Sequence, residues 1–367
     1  MNSSFSGAAC PLEAGVDEER ISLAHGEGAR ASRRLLTEFI LPRLRGARTS
    51  MLSSSSGGSE SAPDVQIRDA AELITHHAQL AFCTDSHTIT PLFFPGGDLG
   101  TLSVYGTVND LAVAGAVPIW LSLSLILEEG LPLSVLGRIL DSCATAAAEC
   151  GVQIVTGDTK VVPRGAVDAI FLNTSGIGEF QSPPLPGPFV INPGDQILVS
   201  GDVGRHGTAV LSERNGLQWA ADFGSDCGSV YPAVEALRRA VPGGIRCMRD
   251  ATRGGVSAVL HEWAMECGQT LNIHESRVPI CEAVRGACEL FGIDPLYLAN
   301  EGTFLAVVQA DVAAAALAAL RDCPQSRQAS CIGEVQPRGI SPVTVTRSYG
   351  RARPLDEPTG APLPRIC

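Results

Sequence analysis

Hydrophobic residues in this chain fall into short apolar runs of strand character and longer stretches with helical spacing. In the first half, Ser32–Leu44 reads as a helix and Gln79–Cys83 as a strand ending in Thr84-Asp85-Ser86. Pro91–Asp98 reads as a rigid turn carrying two exposed aromatics, Phe93 and Phe94. The spacing predicts a helix over Thr107–Pro118 with Asn109 and Asp110 near its start, where the dipole favours acids. A strand over Ile119–Leu127 follows, then a helix over Leu133–Cys150 with Leu136, Ile139, Leu140, Cys143 and Ala147 on one face. Val152, Ile154 and Val155 make a strand-like run that Thr156-Gly157-Asp158 is expected to break, and Ala169–Ser175 is a further strand.

Gln181–Pro188, with four prolines, is the clearest interdomain break. Beyond it come a strand at Gln196–Ser200 and a glycine-rich turn at Gly201–Gly207. Val256, Val259, Leu260, Trp263, Ala264 and Cys267 hold the spacing of a buried helical stripe, off which His261 and Glu262 are expected to be solvated. Asp311–Arg321 reads as a helix and Cys331–Val335 as a closing strand. Prolines at 354, 358, 362 and 364 preclude a regular helix at the end of the chain. The expected organisation is a loose arm (1–20), an N-terminal domain (21–182) with a Ser-rich insertion (49–63), a C-terminal α/β domain (189–350) and a flexible tail (351–367).

Composition narrows the function more than the fold. With 45% hydrophobic and 18% charged residues in 367, the chain is an ordinary globular protein with room for two cores. A formal charge of −12 argues against nucleic acid as a partner. No apolar run approaches a membrane span and Met1–Arg20 has no signal-peptide core, so a cytoplasmic protein is expected. The twelve cysteines show no CxxC pair and no zinc spacing, which suits free thiols in a reducing compartment. Lys160 is the only lysine among 27 basic residues. A chain that otherwise uses arginine keeps a lysine where a compact ammonium serves phosphate binding or proton transfer.

Asp69, Asp85, Asp110, Asp158 and Asp250 each lie beside small residues or at an element end, positions that suit Mg²⁺ shared with substrate phosphates. Asp250 and the Gly254-Gly255 amides precede a helix, a natural site for an anion. His25-Gly26-Glu27-Gly28 is weak as a dinucleotide fingerprint and reasonable as a loop over a phosphate. No Walker A sequence is present, so a nucleotide site here is built from acids and glycines. The terminal Cys367 is open to two readings, an accidental tail thiol or a reactive group on a swinging arm.

Together these stretches resemble the HypE family of nickel–iron (NiFe) hydrogenase maturation proteins. That family falls in the superfamily of aminoimidazole ribonucleotide synthetase, selenophosphate synthetase and thiamine monophosphate kinase. The resemblance runs from His25 onward. It is carried by Asp69-Ala-Ala, Thr84-Asp-Ser, Pro91–Asp98, Gly106–Leu111, Thr156–Gly165, Met248–Gly255, Asp294–Gly302 and the terminal Pro364-Arg-Ile-Cys367. It implies two α/β domains of mixed sheets, in the aminoimidazole ribonucleotide synthetase-like arrangement, with the N-terminal domain binding ATP and pairing in a dimer barrel. It implies ATP with Mg²⁺ on the five aspartates, and ATP contacts from His25, Gly26, Gly28, Thr84, Asn109, Thr159, Arg253, Gly254 and Asn300. It implies that Cys367 receives a carbamoyl group from the carbamoyltransferase HypF and that ATP-driven dehydration makes a thiocyanate, with Lys160 and Glu301 as the charge-stabilising and proton-removing pair. The cyano group then passes to iron on the HypC–HypD complex. Arg365 is expected to offset the charge of the terminal carboxylate. Glu27 and Glu72 depart from the family's usual residues, as does the insertion at 49–63. The competing readings are a small-molecule ATP-dependent synthetase or kinase of the same superfamily, and a non-catalytic maturation scaffold.

Overall fold

The computed structural model describes residues 30–40, 70–75, 78–181, 183–217, 223–347, 350–358 and 365–367. After a short helix, α1 (Arg30–Arg34), the first half forms a five-stranded sheet in the order β1-β2-β7-β5-β6. Its strands are β1 (Ala71–Ile74), β2 (Gln79–His87), β5 (Val117–Glu128), β6 (Gln153–Val162) and β7 (Ile170–Glu179). Only the β5–β6 pair is parallel, which requires the crossover helix α3 (Leu133–Cys150) between them. A two-stranded ribbon, β3 (Phe93–Phe94) and β4 (Gly97–Asp98), leads into α2 (Leu99–Val113).

Helix α2 lies eight residues earlier than the apolar spacing suggests. Asp98 caps it: its carboxylate accepts the Thr101 amide at 2.9 Å, and the Thr101 hydroxyl accepts the Asp98 amide at 2.9 Å. Two glycines hide the helix in the sequence. A Cβ on Gly100 would stand 2.2 Å from the Ile139 carbonyl of α3, so glycine here permits close helix packing. Asn109 and Asp110 therefore occupy the last turn, not the first, and the expected dipole benefit for Asp110 does not apply.

Strand β6 also differs from expectation, running unbroken through Thr156-Gly157-Asp158. A Cβ on Gly157 would sit 2.1 Å from the Leu123 carbonyl, so this glycine serves close strand approach, not a turn. Phe94 is buried and Phe93 lies under the Arg138 guanidinium, 3.8 Å from ring centroid to Cζ, so the expected pair of exposed aromatics is absent.

The second half is a seven-stranded sheet in the order β14-β13-β10-β12-β8-β11-β9. These are β8 (Gln196–Val199), β9 (Ile245–Asp250), β10 (Thr270–His274), β11 (Phe304–Val308), β12 (Ser330–Gln336), β13 (Val343–Thr346) and β14 (Ala352–Pro354). Both faces are covered. Leu305 and Val307 of β11 point to the core under α6 (Gly255–Cys267), while Phe304, Ala306 and Val308 point to α5 (Tyr231–Ala240) and α8 (Ala313–Asp322). The predicted stripe of α6 is buried apart from half-buried Cys267. His261 is not solvated: its ring nitrogens lie 2.8 Å from the Ser257 carbonyl and 3.0 Å from that of Leu355. Glu262 pairs with Arg249 at 2.8 Å. His261 is thus covered by the start of the tail and Glu262 is held by strand β9.

Candidate active site

The last three residues of the chain are seated between the two halves. Ile366 is buried in the core formed by α2, α3, β5 and β7, and Cys367 packs beside it. Around the Cys367 sulfur stand Arg253, Glu301, Asp85 and Asp250, and each perturbs its ionisation. Burial comes first and pushes the thiol up to about 12; the three carboxylates push the same way and Arg253 opposes them.

These groups come from strand β2, the end of β9 and the loops before α6 and β11. Asp85 lies in β2, its carboxylate accepting the Thr107 hydroxyl at 3.3 Å. Asp250 is the last residue of β9, paired with Phe304. Arg253 leads into Gly254 and Gly255, whose φ angles of +75° and +59° turn the chain into α6. The nearby Cys367, Asp85, Glu301 and Asp110 raise the Arg253 pKa against the effect of its burial, with Cys367 contributing most. Glu301 is 4% exposed, and its Oε1 has no hydrogen-bond partner among the described residues. Burial, then Asp250, Asp226 and Asp85, hold its carboxyl well above the usual range, and Arg253 only partly offsets them.

Asn109 and Asn300 work as framework. The Asn109 amide donates to the carbonyls of Gly228 at 3.0 Å and Glu301 at 3.2 Å and accepts the Val230 amide at 2.8 Å. Asn300 accepts the Gly204 amide at 2.6 Å and donates to Ala251 at 2.8 Å. Replacing Asn109 by alanine removes three hydrogen bonds to backbone groups of the second half of the chain. The expected cost is about 3 kcal/mol, read by urea unfolding.

The other sequence-predicted residues fall elsewhere. Cross-strand pairing puts Thr84, Ser175, Ser122 and Thr156 in one row of the outer sheet face, and Ser86, Asn173, Ser124 and Asp158 in the next. Phe171, Ile126 and Lys160 form a third. Lys160 and Asp158 are both exposed and pair with each other at 3.4 Å. Asp85 faces the opposite side of the sheet, toward α2, so in one chain Lys160 and Asp158 are not brought to Cys367; Thr159, between them, alternates to the inner face. His25, Gly26, Gly28, Asp69, Glu27 and the insertion at 49–63 lie outside the described residues. Arg365 does not offset the terminal charge: it donates to the Thr88 carbonyl at 2.8 Å and pairs with Asp168 at 2.7 Å, leaving Arg253 as the cation facing Cys367.

Sequence reasoning missed Asp226, which accepts the amides of Glu301 at 3.2 Å and Gly302 at 3.0 Å. A Cβ on Gly302 would lie 1.8 Å from the Asp226 carbonyl, so the two loops touch backbone to backbone. The signal was available: Gly224-Ser-Asp226-Cys-Gly228 is another aspartate between glycines. His206 and Arg214, which touch the tail, were missed as well. Among the described residues no cluster of three or more His, Cys, Asp or Glu side chains is arranged to hold a metal by itself, and no helix is long and apolar enough to cross a membrane.

Two family models match this architecture: the N-terminal domain of AIR synthase related proteins over residues 68–180 and their C-terminal domain over residues 192–346. Carbamoyl dehydratase HypE of Escherichia coli strain K12 is 43% identical across 95% of this chain and 99% of its own length. Two solved structures are similar. One is a hydrogenase maturation protein HypE in complex with ATP (TM-score 0.74, 41% identity, covering 94% of this chain and 99% of that one). The other is a HypE–HypF complex (TM-score 0.74, 43% identity, covering 79% of this chain and 93% of that one). By domain content, site motifs and identity along nearly its whole length, the chain belongs to the HypE family of hydrogenase maturation proteins.

Proposed function

We propose that this chain is an ATP-dependent carbamoyl dehydratase that converts an S-carboxamide on its own Cys367 into a thiocyanate for the iron centre of a NiFe hydrogenase. The observation that carries this is the placement of the terminal cysteine against Arg253, Glu301, Asp85 and Asp250. An amide oxygen is a poor leaving group. Transfer of the ATP γ-phosphoryl group to that oxygen makes it leave as phosphate, and loss of both N–H protons completes the nitrile, giving ADP and phosphate. Glu301 suits the proton removal, because a carboxylate with a raised pKa is a stronger base. Arg253 suits the negative charge gathering on oxygen. Mg²⁺ typically takes one or two carboxylates and fills its shell with phosphate oxygens and water. Asp85, Asp250 and the unpartnered Glu301 oxygen fit that partial donor set, and the metal would supply charge neutralisation at the phosphates. Asp110, near Arg253, and Asp69 complete the candidate acids.

Lys160, Asp158 and Thr84 occupy a sheet face that also exposes Phe82, Trp120 and Ile126. We assign that face to a second copy of the chain, so that Lys160 acts across a homodimer interface. Lys160→Arg is then expected to slow turnover at least about tenfold with an unchanged thermal midpoint, since its ammonium pairs only with exposed Asp158 among the described residues. The proposed carbamoyl donor is HypF, supported by the similar HypE–HypF complex, and the proposed acceptor is the HypC–HypD complex. All eleven described cysteines are free thiols, which supports a reducing, cytoplasmic setting. The test is the mass of the tail peptide after the carbamoyl donor system and then Mg-ATP. Gain of a carboxamide followed by loss of one water is the expected result; a carboxamide unchanged by ATP removes the dehydratase reading.

A further inference from the structure

The seated tail is gripped by its main chain. The Arg214 guanidinium donates to the Arg365 carbonyl at 2.5 Å, the His206 Nε2 lies 2.7 Å from the Ile366 carbonyl, and the Thr88 amide donates to the Cys367 carbonyl oxygen at 3.0 Å. Three successive main-chain oxygens, the last on the terminal carboxylate, are thus met by donors from the segment that follows β2 and from helix α4 (Arg205–Arg214). The Thr90 amide adds a longer contact to the Arg365 carbonyl at 3.4 Å and the Thr88 hydroxyl one to Cys367 at 3.4 Å.

The His206 donor is fixed by its other nitrogen. Nδ1 lies 2.8 Å from the Ser225 hydroxyl, whose oxygen already accepts the Cys227 amide at 3.0 Å. The hydroxyl proton is therefore free to point at Nδ1, which leaves the ring proton on Nε2, aimed at Ile366. Phe94 meets the ring edge-on at 5.2 Å between centroids and locks its plane. Arg214 is aimed in the same way, its Nε donating to the Thr90 carbonyl at 2.7 Å. Within the last three residues, side-chain recognition comes from buried Ile366 and from Arg365, held by Thr88 and Asp168 and lying 5.5 Å over the Phe171 ring. The Cys367 sulfur makes no hydrogen bond to any described residue.

We propose that His206, Arg214 and Thr88 form a main-chain clamp that positions the Cys367 sulfur in the site whatever that sulfur carries. Thiol, carboxamide and thiocyanate would then dock alike, and release of the arm is separated from the chemistry on it. These are positioning residues, and the inference rests on Cys367 being the carrier. Its labelling test needs neither nucleotide nor carbamoyl donor, so its failure is distinguishable from failure of the dehydratase reading.

The experiment labels the full-length chain with iodoacetamide and follows modification of the tail peptide that begins at Asp356. Ile366→Asp alters only the docked segment and marks the rate of an undocked cysteine. His206→Leu and Arg214→Met are each expected to speed labelling about tenfold or more, the effect of losing one well-placed hydrogen bond to a docked segment. His206→Gln can present an amide N–H near the place of Nε2 and is expected to stay close to the parent rate. Cys367 turnover should fall in kcat for His206→Leu, with the KM for ATP unchanged. The proposal is overturned if both clamp variants label at the parent rate while Ile366→Asp labels fast, or if His206→Gln behaves as His206→Leu does.

Discussion

Glu301→Gln is expected to slow dehydration of the tail carboxamide by orders of magnitude without destabilising the folded chain. Glutamine has the shape of glutamate, and the site holds this side chain 4% exposed with Oε1 unpartnered, so the substitution leaves packing in place. It removes a carboxyl that burial and the neighbouring Asp250, Asp226 and Asp85 all oppose in its charged form. Relief of that repulsion should raise the thermal midpoint or leave it level. Loss of a positioned general base costs a factor of roughly 10² to 10⁴ in rate. Thiocyanate formation is read from the tail-peptide mass and stability from thermal unfolding of the same preparation. A fall in activity accompanied by a fall in stability would assign Glu301 to the framework. Retained activity would remove it from the chemistry.

The same burial explains what the sequence could and could not convey. Helix α3 is legible to the residue: its apolar face repeats at helical spacing, and Gly151 ends it at φ +68°. Helix α2 is covered on nearly every side, so it has no polar face to set against an apolar one, and its start was readable only from the Asp98–Thr101 cap. Gly157 looked like a break because a glycine needed for close strand contact has the same letter as one needed for a turn. The acids of the site stand in short motifs that are visible in one dimension. Which face a strand residue occupies is not visible in the same way. Asp158 and Lys160 lie two positions apart and so share a face, whereas Asp85, the neighbour of Thr84, turns inward. Register assigned these groups to opposite sides of the sheet, and register depends on partner strands distant in sequence. The tail was readable as an extended segment from its prolines, but not as a ligand for its own chain. His206 and Arg214 gave no local sign of binding it, because what they recognise is main chain.

Docking of the tail is expected to weaken as pH rises above about 9, the ordinary value of a cysteine thiol, and to go on weakening up to about 12. The sign follows from proton binding. The seated thiol holds its proton more tightly than the released one, so the docked state is favoured fully below the released pKa. That advantage is lost as pH climbs toward the docked value, by up to about tenfold in the docking equilibrium per pH unit. Amide exchange at Thr88, whose N–H is covered by the Cys367 carbonyl, reports docking directly. Exchange is corrected for its intrinsic dependence on hydroxide. Protection should then fall with pH in the parent chain and stay level in Cys367→Ala, which docks through the same main-chain contacts without an ionisable sulfur. A parent chain as insensitive to pH as Cys367→Ala would mean that the sulfur is not desolvated in the site. The chemical consequence reaches the division of labour between partners. A thiol held near 12 is almost wholly protonated at neutral pH and is a poor nucleophile. Under the proposed function, carbamoyl uptake is therefore expected on the released arm and dehydration on the seated one. The acidic, buried surroundings that make Glu301 a strong base also keep an unloaded cysteine chemically silent.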